Sequence, residues 1–281
     1  MAETVVVVGF GSMGSALVTG CIRASVFTAR QITVVDSDAA ARERAEQIGC
    51  AATVDLSRVS GADTVVLAVK PQTFPEAALG IGLLKPGTLV ISVMAGVSTA
   101  RLIEAFGAGI HTVRCMPNVA AQVGLAVTTY SAVSECSDAN RTRALRVLGS
   151  IGSTVEIAEH LFDAATATSG SGPAYLFLLA ESMIESAMRL GFDRPTADRL
   201  VRQALLGAST LLARGDRSPA ELRGMVTSQG GTTSAAMAVF ESHGFQSMMH
   251  NALRAARDRG RDLAAAAARQ ASPSPAVTGG T

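Results

Sequence analysis

The chain has 281 residues, room for one large domain or two smaller ones, and at 48% hydrophobic and 17% charged it can bury a sizeable core. A formal net charge of +1 without a basic cluster argues against nucleic acid or an anionic membrane as the main partner, and no apolar segment approaches membrane-spanning length. Cys21, Cys50, Cys115 and Cys136 are scattered, with no C-x-x-C and no paired histidines, so neither a metal site nor a disulfide framework is indicated.

Val5 to Val8 is a β-branched run of the kind buried on both faces of a parallel sheet. It lacks a basic flank and is too short for a signal peptide, so a cytoplasmic protein is expected. The run enters Gly9-Phe10-Gly11-Ser12-Met13-Gly14, a G-x-G-x-x-G. Gly9 permits the tight turn, Gly11 lets the backbone approach a pyrophosphate, and Gly14 lets the next helix pack close to the strand. That helix, Ser12 to Ser25, has Leu17, Cys21 and Ile22 for a buried stripe and offers its first N–H groups to phosphates. The next strand, Ile32-Thr33-Val34-Val35-Asp36, ends on an acid, which completes the context of a dinucleotide fingerprint. An acid there binds the adenosine ribose hydroxyls and disfavours a 2′-phosphate, so Asp36 leans toward NAD. Ser37, Arg42 and Arg44 lie close enough to leave NADP open, unless both arginines simply sit on a solvated helix face.

Asp38 predicts an N-cap for a helix over Ala39 to Ile48. Further strands are predicted at Thr64 to Val69, leading into Lys70-Pro71-Gln72, at Leu89 to Val93, and at His111 to Cys115, leading into Met116-Pro117-Asn118. Pro71 suits a first helical turn. Thr99 to Phe106 reads as a helix, and this alternation argues for a parallel sheet with crossover helices. Leu125 to Tyr130 predicts an added strand, Asp138 to Leu148 a helix, and Thr154 to Ile157 a short last strand.

Beyond Glu159 the β-branched runs stop. Helices are predicted over Pro173 to Leu190, Thr196 to Arg214, a short one from Pro219 capped by Ser218, Thr232 to Ser242, and Phe245 to Ala267. Several are apolar on most sides and would need cover, so a helical dimer interface is expected. The fold class is therefore α/β, a Rossmann-type parallel-sheet domain (1–159) followed by an all-α substrate and dimerisation domain (160–267). The Ser-, Pro- and Gly-rich 268–281 is expected to be a disordered tail.

Val226-Thr227-Ser228-Gln229-Gly230-Gly231-Thr232-Thr233-Ser234 opens a helix with glycines and hydroxyls. Consecutive N–H groups there could hold a carboxylate without a cation, although an ordinary loop and N-cap read the same way. Ser169-Gly170-Ser171-Gly172-Pro173-Ala174-Tyr175 is a second small-residue turn entering a helix. His111, His160, His243 and His250 are dispersed, and no Ser/His/Asp arrangement emerges. Reduction of an electrophilic C=N bond by a bound hydride donor needs no strong acid or base from the protein.

Taken together and in order, Gly9 to Gly14, Ala68-Val69-Lys70-Pro71-Gln72, Arg114-Cys115-Met116-Pro117-Asn118, Ser169 to Tyr175, Val226 to Thr233 and Phe240-Glu241 resemble pyrroline-5-carboxylate reductase, over about Val5 to Leu263. The resemblance implies NAD(P)H-dependent reduction of 1-pyrroline-5-carboxylate to L-proline. It also implies a homo-oligomer paired through the C-terminal helices, as dimers or a decamer of such dimers. By the same resemblance Ser228 and the Gly230, Gly231, Thr232 and Thr233 backbone hold the substrate carboxylate, with Thr233 near the ring nitrogen. Val69, Lys70 and Pro71 line the cofactor's edge beside Gly9, Gly11, Ser12, Met13, Gly14, Asp36 and Ser37, and Asn118 lies on the nicotinamide side. Gln229 stands where the family usually has proline, Val119-Ala120 where it has Thr-Pro, Met237 where it has Leu or Val, and Asp55 where many members carry asparagine. A β-hydroxyacid dehydrogenase shares the glycine-rich opening but expects a lysine on the helix after its small-residue turn, and Pro173 to Leu190 contains none. A non-catalytic NAD(P)-binding regulator would have no use for the turn at Ser228 to Thr233.

Overall fold

The computed structural model describes residues 3–132 and 136–271. It divides into two compact units, one reaching to Gly170 and resuming at Ala256, the other Ser171–Ala255.

The first unit is a sheet of eight strands in the order β3-β2-β1-β4-β5-β6-β7-β8. The strands are β1 (Val5–Val8), β2 (Ile32–Val35), β3 (Ala51–Thr53), β4 (Thr64–Leu67), β5 (Leu89–Ser92), β6 (His111–Met116), β7 (Ala126–Ala132) and β8 (Gly152–Glu156). The four valines of β1 divide between two cores, as a strand covered on both faces requires. Val5 and Val7 join Val34, Ile91 and Val113 on one face. Val6 and Val8 join Val65, Leu67 and Val90 on the other. Helices α1 (Ser12–Arg23), α2 (Ala39–Gln47) and α5 (Asp138–Gly149) cover the first face, through residues such as Leu17, Ala45 and Leu148. Helices α3 (Phe74–Ile81) and α4 (Thr99–Phe106) cover the second, where Phe74 and Phe106 meet edge to face with centroids 5.9 Å apart.

All predicted strands are present, with β7 running antiparallel to β6 and parallel to β8. The link from β6 to β7 holds only a 3-10 turn at Val119–Val123, whereas a parallel return needs a crossover of a dozen residues or more. Strand β3 is the one that the hydrophobic pattern did not signal. It has three residues, two of them alanine, at the sheet edge. Asp38 caps α2 by accepting from the Ala40 N–H at 3.1 Å. After β8 the chain forms a short helix, α6 (Phe162–Ala165), and a π-turn at Thr166–Gly170.

The second unit contains α7 (Gly172–Arg189), α8 (Arg194–Ala213), α9 (Pro219–Met225), α10 (Thr232–Ser242) and the start of α11 (Phe245–Ala271). Ser218 and Glu221 form a reciprocal capping box on α9. Residues 272–281, most of the expected tail, lie outside the described residues. Within this unit the core is small: Ile184, Ala197 and Val201 are buried, with Ala180 and Leu205 against them. Phe177, Leu178, Leu190 and Leu206 are instead 61–83% exposed. Apolar surface on that scale calls for a partner. Among the described residues, no helix is long and apolar enough to cross a membrane. Phe177→Asp is expected to lower the solution mass toward that of one chain in light scattering; an unchanged mass would put the interface elsewhere.

Candidate functional site

The carboxyl ends of β1, β2 and β4 meet where the strand order reverses, the position at which doubly wound sheets bind ligands. A cleft of about 190 Å³ lies there, lined by Gly9, Asp36, Ser37, Val69 and, among others, Val54, Leu56, Thr73 and Glu76. Gly9 takes φ +96°, and a Cβ on it would sit 2.7 Å from the Ala68 carbonyl carbon. A Cβ on Gly14 would overlap the Gly9 carbonyl oxygen, so α1 can approach only with glycine there. Gly11 is the opposite case: nothing lies within 4 Å of where its Cβ would be, and its backbone faces open space. It occupies the N-cap of α1, which has no side-chain cap and no acid in its first turn. The N–H groups of Ser12, Met13 and Gly14 at that end suit a pyrophosphate.

Asp36 does more than the sequence suggested. Its Oδ2 accepts from the Phe10 N–H at 2.6 Å and its Oδ1 from the Asp38 N–H at 2.9 Å, so it ties the glycine turn to the β2–α2 turn. Lys70 and Pro71 begin a 3-10 turn after β4, and the Lys70 carbonyl accepts from the Thr73 N–H and hydroxyl. Asp55 caps a neighbouring 3-10 turn by accepting from the Ser57 N–H and hydroxyl, and its neighbours Val54 and Leu56 line the cleft in its place. These features fit a dinucleotide: an approachable backbone, a free helix start and an acid beside the ribose position.

Asn118 stands at the end of β6 and does not line this cleft. Its amide oxygen accepts from the Ala120 N–H at 3.2 Å and its amide nitrogen donates to the Ser169 carbonyl at 3.0 Å. Below it, Arg114 donates to Glu159 at 3.1 Å and lies 4.3 Å over the Phe162 ring. Glu159 also accepts from the Thr99 N–H and hydroxyl. This brace joins β6, the start of α4 and the segment before α6. The sequence reading did not find this brace, because no spacing rule links residues so far apart.

In the second unit Ser228, Gly230, Gly231, Thr232 and Thr233 form one turn into α10. Gly230 takes φ +71°, the Gly231 N–H returns to the Ser228 carbonyl at 3.1 Å, and a Cβ on Gly231 would collide with the Ser228 hydroxyl. Gly231 is the N-cap, again with no side-chain cap and no acid in the first turn. Residues 232 and 233 are the first two of the helix, so their N–H groups have no partner within it.

A family model described as pyrroline-5-carboxylate reductase dimerisation matches residues 159–263, and one described as NADP oxidoreductase, coenzyme F420-dependent, matches residues 4–96. The chain is 38% identical over 264 residues to the pyrroline-5-carboxylate reductase of Pseudomonas aeruginosa, across 92% of this chain and 95% of that protein. It superposes on the solved pyrroline-5-carboxylate reductase of Coxiella burnetii with a TM-score of 0.86 at 31% identity, covering 94% of this chain and 99% of that one. The chain belongs to the pyrroline-5-carboxylate reductase family. The Plasmodium falciparum pyrroline carboxylate reductase, solved with NADP bound, superposes with a TM-score of 0.82 at 26% identity over 93% of this chain and 98% of that one. The dimerisation match spans the helices with the exposed apolar faces, and the chain is a homo-oligomer built on that region. It is an oxidoreductase of the NAD(P)H-using class.

Burial pushes the Glu159 carboxyl up, but its hydrogen bonds from Thr99 and Arg114 outweigh that and hold it below its ordinary 4.5. A depressed carboxyl stabilises the fold above its unfolded-state value and loses that contribution as pH falls through its folded one. The stability difference between the native chain and Glu159→Gln, read by urea unfolding, is expected to be full near neutrality and to shrink below pH 4.5. A difference independent of pH would show that the charge of Glu159 is not what braces β6.

Proposed function

We propose that the turn at Gly9 to Gly14 holds the hydride donor and the turn at Ser228 to Thr233 holds what receives the hydride. The chain catalyses NAD(P)H-dependent reduction of 1-pyrroline-5-carboxylate to L-proline, the last step of proline biosynthesis. Residues 1–159 are taken as the dinucleotide-binding domain and 160–267 as the substrate and dimerisation domain. The observation that carries the division of roles is that α1 and α10 both start on a glycine cap with no side chain or acid occupying the first turn.

When bound, the reduced nicotinamide supplies the hydride. Gly9 and Gly14 shape the turn that lets Gly11, Ser12 and Met13 present backbone N–H groups to the pyrophosphate. Asp36 and Ser37 face the adenosine ribose, and Val69, Lys70 and Pro71 border the dinucleotide. Asn118, held by Ala120 and Ser169, stands on the nicotinamide side. The Ser228 hydroxyl and the backbone of Gly230, Gly231, Thr232 and Thr233 hold the substrate carboxylate. The Thr233 hydroxyl faces the ring nitrogen as hydrogen-bond partner or proton donor. Carbon takes the hydride and the ring nitrogen takes one proton, either passed on by this hydroxyl from solvent or already carried by the substrate as its iminium, so the hydroxyl has to orient and polarise an already electrophilic C=N bond. Dimers paired through the C-terminal helices associate further into a decamer, in the cytoplasm and without a nucleic-acid partner.

The decisive assay is oxidation of NADH or NADPH with 1-pyrroline-5-carboxylate, where turnover is expected; failure there with turnover of a hydroxy or oxo acid would overturn the reading. Thr233→Ala is expected to lower kcat about a hundredfold, within the range for a positioned proton donor, while cofactor affinity changes less than about twofold. An unaltered kcat would remove Thr233 from the mechanism.

A further inference from the structure

We propose that this chain selects NADH over NADPH, and that Asp36 and Glu76 make the selection at the adenosine end of the cleft. The inference rests on the assignment of that cleft to the dinucleotide. The two cofactors differ by one phosphate on the adenosine 2′ oxygen, a group carrying about −1.5 to −2 charges near neutral pH. A site that accepts it supplies arginine, lysine or several N–H donors.

This cleft is built the other way. Among the described residues its lining includes two carboxylates, Asp36 and Glu76, and no lysine or arginine. Asp36 is held in place, because one oxygen accepts from the Phe10 N–H and the other from the Asp38 N–H. Each oxygen retains a second lone-pair site, which a neutral ribose hydroxyl can donate to and a phosphate cannot. Glu76, in the first turn of α3, lines the same cleft.

Of the two arginines that the sequence left open, Arg42 is held by backbone carbonyls and Arg44 is exposed on α2. Arg42 donates through Nη1 to the carbonyls of Asp36 at 2.8 Å and Ser37 at 3.0 Å, which staples its guanidinium to the β2–α2 turn. Neither Arg42 nor Arg44 is among the lining residues. Ser37 does line the cleft, but its hydroxyl is a single neutral donor beside two negative groups. The charges that line the cleft therefore oppose a phosphate.

The test is equilibrium titration of the full chain with NADH and with NADPH, followed by the fluorescence of the reduced nicotinamide. The Kd for NADH is expected to be at least about tenfold lower at low salt, with the gap narrowing as salt screens the repulsion. Glu76→Gln is expected to narrow the gap about three- to fivefold, mainly by tightening NADPH, since it removes one of the like charges facing the phosphate. Asp36→Ser should narrow it further; because Asp36 also braces the glycine turn, Glu76→Gln decides the matter if that variant does not fold. NADPH binding as tightly as NADH, or a ratio unmoved by Glu76→Gln, would overturn the proposal. Binding of neither nucleotide would remove the assignment of the cleft as well, which separates the two failures.

Discussion

The carbonyl of Ala68 lies so close to residue 9 that no side chain fits between them, and the carbonyl of residue 9 in turn excludes one from residue 14. These two contacts bring β1, β4 and the start of α1 together at the point where the strand order reverses. From them follow the exposed backbone at Gly11, the uncapped N–H groups of α1, and the reach of Asp36 to the Phe10 N–H. Any Cβ at 9 or 14 would push the helix start away, and the Phe10 N–H bond to Asp36 would be displaced with it.

The second turn proposed to hold an anion repeats the same physics with other residues. Gly230 turns the chain at positive φ, Gly231 packs on Ser228, and α10 starts without a cap of its own. Backbone dipoles, neutral hydroxyls and helix starts can hold a pyrophosphate and a carboxylate without lysine or arginine. Such sites impose little net charge, which suits a reaction whose hard chemistry belongs to a bound hydride donor.

Much of this was legible from one chain because local rules act over short distances. Valine runs, glycine spacing and capping residues such as Asp38 and Ser218 carry their own geometry, and the strands and helices formed close to where those signals sit. Strand β3 escaped because three residues, Ala51, Ala52 and Thr53, carry no period, and its place is visible only in its parallel pairing with β2. The reversal of β7 was hidden for a different reason, since connection length and not side-chain pattern decides it. The partnerships between residues distant in sequence were beyond any pattern: Arg114 with Glu159, Asn118 with Ser169, and Glu76 with Asp36 in the lining of one cleft. In the helical unit, the excess of exposed leucine and phenylalanine was anticipated from composition, because helices apolar on most sides cannot all be covered by one another.

In the proposed reaction, uncharged helix starts and not basic side chains hold both anionic groups. A crystal structure of the protein with oxidised cofactor and L-proline tests it most directly. The proline carboxylate is expected within hydrogen-bond distance of the Gly230 to Thr233 backbone, and the pyrophosphate on the N–H groups at the start of α1. A carboxylate or pyrophosphate held instead by an arginine or lysine side chain would contradict it.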